Sequence, residues 1–125
     1  MNTAIWIVQI LVAIAFFMAG IGKLTQPKEA LYERGMKYVE DFSANTIKII
    51  GALEVAGAIG VIVPALLNIL PQLTYVAAGG LVLTMIGAAL THIRRGEYPG
   101  IAINLILLAL AAFVAYGRFV LVPLA

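Results

Sequence analysis

The sequence contains no cysteine. Disulfides, thiolate nucleophiles, cysteine-ligated iron–sulfur clusters and a Cys-x-x-Cys redox pair are therefore excluded within this chain. Its single histidine, His92, cannot by itself build a multi-histidine zinc or haem site. Charge is scarce, at 11% of residues, whereas a soluble domain carries about 25%. The formal net charge is only +2, and the basic residues are spread between apolar segments. Nucleic acid is therefore not an expected partner. Neither a GxGxxG fingerprint nor a P-loop occurs. With no catalytic motif and no self-contained redox site, the expectation leans away from an enzyme, and neither a metal nor a resident cofactor is expected.

What the chain has in excess is apolar surface. Hydrophobic residues make up 63% of its 125 positions, and the mean hydropathy is +1.06. A soluble fold of this size has too little interior to hide that fraction. A lipid bilayer removes the difficulty, so the chain reads as one transmembrane domain, residues 1–125.

A helix needs about 20 mostly apolar residues to cross the hydrocarbon core. Four windows qualify: Ala4–Gly22, Thr46–Leu67, Gln72–His92 and Gly100–Leu121. Backbone groups in lipid must be satisfied within their own segment, which makes helices the default, and no window alternates as a barrel strand would. The predicted fold is an all-α bundle of four transmembrane helices. No basic residue precedes the first window, so it reads as a span rather than a signal peptide.

The loop charges predict an orientation. Lys23, Lys28, Arg34 and Lys37 follow the first span, and Arg94 and Arg95 precede the fourth. Both groups lie on one side of a four-span protein. The positive-inside rule puts them in the cytoplasm and both termini outside. Trp6, Tyr75 and Tyr116 then fall near the outer interface, with Arg118 as an anchor there. Between the first two spans, Leu31, Tyr38, Val39 and Phe42 recur at helical spacing. They predict a short amphipathic helix over Pro27–Phe42 on the cytoplasmic surface, weakened by Gly35.

Small residues crowd spans two and three, among them Ala52, Ala56, Gly57, Gly60, Gly79, Gly80 and Gly87. Such spacings let helices approach closely, either within the bundle or across a homodimer face.

Polar residues inside the spans are the candidate functional residues. Glu54 lies about 12 Å along the second span, where a carboxylate is expensive. It must be protonated or paired. Topology brings Lys23, His92 and Asn104 toward the same half of the bundle. The expected polar cluster is therefore Glu54, His92, Lys23 and Asn104, serving either to bind a ligand or to bolt helices together.

Three stretches carry a family resemblance: FMAGIGKL at 17–24, KIIGALEVAGAIGVIVP at 48–64, and MIGAALTHIRRGE at 85–97. In order and spacing they resemble the DoxX-like family of small four-helix membrane proteins. The best marks are the Gly-x-Leu-Glu-x-x-Gly-Ala run around Glu54 and the Thr-His-x-Arg-Arg-Gly-Glu run around His92. The resemblance implies a bacterial or archaeal plasma membrane and points to Lys23, Glu54 and His92 without assigning them a role. DoxX takes its name from association with a quinone-linked oxidase in sulfur-oxidising archaea. The same superfamily includes NACHO, a chaperone for nicotinic acetylcholine receptor assembly.

Three functions follow as expectations. The first is an accessory or assembly subunit for a larger membrane protein or redox complex. The second is a binder of a quinone or other apolar molecule, with Glu54 and His92 meeting its polar atoms. The third is a proton-coupled transporter. Small multidrug transporters, however, use a glutamate in the first span, and here that span holds only Gln9.

Overall fold

The computed structural model describes residues 1–123. Helix α1 runs Asn2–Thr25, α2 Lys28–Glu33, α3 Ala44–Leu67, α4 Leu73–Arg95 and α5 Tyr98–Tyr116. A 3-10 turn at Lys37–Asp41 precedes α3, and a π-helical turn at Gly117–Leu121 prolongs α5. No strand occurs among the described residues. Among the described residues, four helices are long and apolar enough to cross a membrane: α1, α3, α4, and α5 together with its π turn.

Local chemistry fixes the breaks between them. Ser43 caps α3, its hydroxyl accepting from the Thr46 amide at 3.1 Å. Asn68 ends α3 in the left-handed region at φ 54°, a conformation asparagine tolerates. Gly96, at φ 72°, closes α4 and lets the chain reverse into α5. Pro99 sits in the first turn of α5, where its missing amide costs nothing.

The segment between the first two spans departs from expectation. The single amphipathic helix expected over Pro27–Phe42 does not form. Gly35 takes φ 101° and splits the segment into α2 and the 3-10 turn. Its apolar residues also turn inward. Leu31 and Val39 are fully buried against Ile47 of α3, with Met36, Tyr38 and Phe42 packed around them. A left-handed glycine breaks the helix, and a small satellite core holds the pieces.

The spans form a ring. Helix α1 lies along α3, α3 along α4, and α4 along α5, and α5 closes back on α1. The central core takes Val12 and Phe16 from α1, Ala58 and Val61 from α3, Leu81 and Met85 from α4, and Ala111 and Val114 from α5. Large apolar side chains such as Ile10, Leu53, Leu83, Leu90 and Ile106 point outward. Lipid offers little hydrophobic drive for helix association, so close packing by small residues matters more. The contact between α1 and α3 shows this. A Cβ added to Gly51 would stand 2.8 Å from both the Gly20 carbonyl and the Lys23 Cβ. Gly57 admits Leu81, and Gly60 admits Ala77, in the same manner.

Other small residues face outward. A Cβ at Gly80 or Gly87 would meet nothing within 4 Å. Gly80, Thr84, Gly87 and Thr91 share one face of α4 by their spacing. The two threonine hydroxyls bond back to the carbonyls of Gly80 and Gly87, at 2.9 and 3.0 Å. The hydroxyls are therefore satisfied within the helix, and the face stays smooth.

Candidate functional site

Two polar assemblies occupy opposite ends of the bundle. The loop end carries residues 26–43 and the α4–α5 turn. The terminal end carries the start of α1, the α3–α4 turn and the π turn.

At the loop end, the last turns of α1 set Lys23 against the middle of α3. The close approach of Gly20 and Gly51 brings the two backbones near enough for Lys23 Nζ to donate to Glu54 Oε1 at 2.6 Å. The side chains are only 8% and 2% exposed, so each charge depends on the other for solvation. Lys48 does not join them; its Nζ donates to the Leu24 carbonyl at 3.2 Å.

Tyr38 covers the pair. Burial pushes its hydroxyl up from its ordinary pKa. The neighbouring Lys23 charge opposes this, and the Glu54 and Glu97 carboxylates add to it. The Tyr38 ring meets the His92 ring edge-on, with centroids 5.4 Å apart. His92 in turn pairs through Nδ1 with Glu97 Oε1 at 2.9 Å. Gly100 makes room for it, since a Cβ there would stand 2.7 Å from the imidazole. Arg95 then joins three carboxylates: Glu97 at 3.0 Å, Asp41 at 2.8 Å and Glu40 at 2.5 Å. The 3-10 turn is thereby strapped to the end of α4. Burial works against the Glu97 carboxylate, but hydrogen bonds from Arg95 and then His92 outweigh it and hold its pKa below the usual value.

Of the four residues expected to cluster, Lys23 and Glu54 meet directly. His92 approaches them only through Tyr38, and its hydrogen bond goes to Glu97. Asn104 stands apart, buried on α5, its Nδ2 directed at Met85 Sδ at 3.2 Å. Tyr38 and Glu97 were not among the expected site residues. In the sequence, Tyr38 is part of an amphipathic stripe and Glu97 one member of the motif around His92.

The terminal end holds a second network. Arg118 is 1% exposed, not the interfacial anchor expected. Its Nε donates to Gln9 Oε1 and its Nη1 to Asn2 Oδ1, both at 2.7 Å. Gln9 Nε2 passes the chain on to the Val61 carbonyl at 2.8 Å. The guanidinium lies 5.3 Å from the Trp6 ring centroid, within cation–π range. The signal was present in the sequence: Gln9 is the polar interruption of the first window, and Arg118 the charge in the fourth.

Two clefts open at the loop end. One is a shallow groove of about 400 Å³ between α2 and the 3-10 turn, bounded by Lys28, Tyr32, Glu33 and Glu40. The other, of about 40 Å³, lies where α1 ends and α3 begins and reaches Lys23. A small-molecule pocket holds roughly 300–1,000 Å³. The cleft touching the buried pair is far smaller.

The sequence model of the DoxX-like family matches residues 7–114. No curated protein and no solved structure matches the chain.

Proposed function

The chain belongs to the DoxX-like family, and from that premise we propose that it is an accessory subunit that helps a larger membrane protein or redox complex assemble. One observation carries this reading. The buried ionisable groups are engaged within the chain, whereas the α4 face bearing Gly80, Thr84, Gly87 and Thr91 is smooth and turned outward. A helix of a partner can approach such a face closely, gaining dispersion contacts that lipid tails do not match. In this reading the Lys23–Glu54 pair and the Arg95 strap set the tilt of the spans that present α4. The basic loop end lies in the cytoplasm of a bacterial or archaeal cell, and both termini lie outside.

A quinone site draws little support from this geometry, because the cleft at Lys23 has about 40 Å³. A ring would require α1 and α3 to separate at Gly20 and Gly51.

The test is genetic and biochemical. Membrane complexes are compared by native gel and quantitative mass spectrometry in cells with and without the chain. A particular complex should fall in abundance without it. Wild type should restore that complex and Gly87→Leu should not, although the variant itself accumulates normally. Unchanged complexes in cells lacking the chain would reject the proposal.

A further inference from the structure

The small cleft at the loop end is unsuited to a quinone but well suited to a tetrahedral oxyanion. A site of about 40 Å³ has room for a few water molecules, given that one needs roughly 10–15 Å³ on the same measure. Three lysines, Lys23, Lys28 and Lys48, reach it from three elements. Lys23 is neutralised by Glu54. Among the described residues, Lys28 and Lys48 have no carboxylate partner. The cleft is therefore left with two uncompensated ammonium groups.

One of these groups is held in place. The Lys48 ammonium is tethered to the Leu24 carbonyl at 3.2 Å, which uses one of its three donors and leaves two. Gln26 adds an amide at the rim, itself fixed by Arg34 through a 2.8 Å hydrogen bond. Pro27 and Ile47 supply an apolar wall. Lys23 belongs to the last turn of α1, and Lys48 is the fifth residue of α3. The cleft therefore sits where two spans leave the hydrocarbon, the depth of lipid headgroups.

We infer that this cleft binds the phosphate of an anionic phospholipid headgroup, with Lys28 and Lys48 as the ammonium donors. The apolar wall and the interfacial depth favour a lipid phosphate over a free one: the glycerol and acyl chains can continue along Pro27 and Ile47 into the bilayer. The carboxylates Glu29 and Glu33 line the groove on the other side of Lys28, so the preference is local to the cleft and not a property of the whole loop. The inference is independent of the accessory role proposed above.

Delipidated full-length protein in mild detergent is titrated with a phosphatidylglycerol, a phosphatidylcholine and inorganic phosphate, and adducts are counted by native mass spectrometry. A lysine near the membrane surface contributes about fivefold in affinity for anionic lipid, so two give roughly thirtyfold. Phosphatidylglycerol should bind more tightly than phosphatidylcholine by about that factor, because choline opposes the ammonium groups. The double variant Lys28→Gln/Lys48→Gln should lose the preference. The charge-matched control Lys37→Gln/Arg94→Gln, at exposed positions outside the cleft, should keep it. Thermal stability of both variants is checked beforehand, so that misfolding is not read as lost binding. Equal binding of the two lipids overturns the inference, as does an equal loss in the control. Millimolar inorganic phosphate displacing phosphatidylglycerol completely would assign the cleft to soluble phosphate and overturn the lipid source.

Discussion

Removing one member of the Lys23–Glu54 pair while leaving the other in place should be among the most damaging changes this chain can suffer. The two side chains are 2% and 8% exposed and 2.6 Å apart. Breaking a buried pair from one side costs about 3–5 kcal/mol, because the surviving charge is stranded. Replacing both members with apolar residues of similar volume is often close to neutral. Glu54→Leu should therefore destabilise strongly, and Lys23→Met/Glu54→Leu should recover most of the loss. The two single variants should also differ. Lys23 lies near the end of its span and its long stem can carry the ammonium toward the headgroups. Glu54 is fixed about 15 Å inside α3 and has no such escape. Lys23→Met should thus fall at the upper end of the range and Glu54→Leu at the lower. For a chain this short, each kcal/mol corresponds to about 4 °C in melting temperature, so the single variants should melt about 12–20 °C lower. Fluorescence-detected gel filtration after heating in detergent provides the assay. A double variant no more stable than the worse single one would refute the reasoning, as would single variants that melt with the wild type.

Other perturbations separate packing from charge. Gly51→Ala places a Cβ against Gly20 and Lys23 and should cost about 1–3 kcal/mol as overpacking, whereas Gly87→Ala, in open space, should leave the same heat-denaturation curve unchanged. Gln9→Leu removes an acceptor from a buried guanidinium and should cost about 1–3 kcal/mol; a melting temperature equal to wild type would show that Arg118 does not need Gln9. The Glu97 carboxyl is held below its ordinary pKa in the folded chain. Its contribution is therefore present above the unfolded value near 4.5 and is lost as pH falls through the folded value. Melting measured between pH 6 and pH 3 should show an acid decline that Glu97→Gln reduces.

The spans were readable because lipid imposes a length and a composition that few other environments tolerate. Three of the four predicted windows fall inside an observed span, and the third begins one residue before α4. Glu54 and Lys23 were readable for a related reason: a carboxylate deep in one span needs a counter-charge, and chain order put Lys23 on the same side. Two things escaped. Periodicity in residues 27–42 reports which side chains are apolar, but not whether lipid or protein receives them. Here Ile47 receives Leu31 and Val39, and Gly35 breaks the helix. Arg118 escaped because a basic residue near a span end usually turns to water. Its inward course depends on acceptors from α1, Asn2 and Gln9, which are more than 100 positions away in the chain.

The closest helix pairings join spans that are consecutive in the chain, α1 with α3 and α4 with α5. The membrane domain is thus two helical hairpins, each with one pair of its own, Lys23–Glu54 in the first and His92–Glu97 in the second, joined to one another by Arg118 with Gln9 and Asn2 and by Arg95 with Glu40 and Asp41. During synthesis, a solitary first span has to carry the Lys23 ammonium out to the headgroups, because its counter-charge is not yet made. Retained until α3 emerges, it enters with the charge already countered. The natural unit of insertion is therefore the hairpin. A chain severed in the Asn68–Gln72 turn should yield a first fragment able to enter the bilayer alone and a second whose Arg118 is satisfied only once the first supplies Gln9 and Asn2.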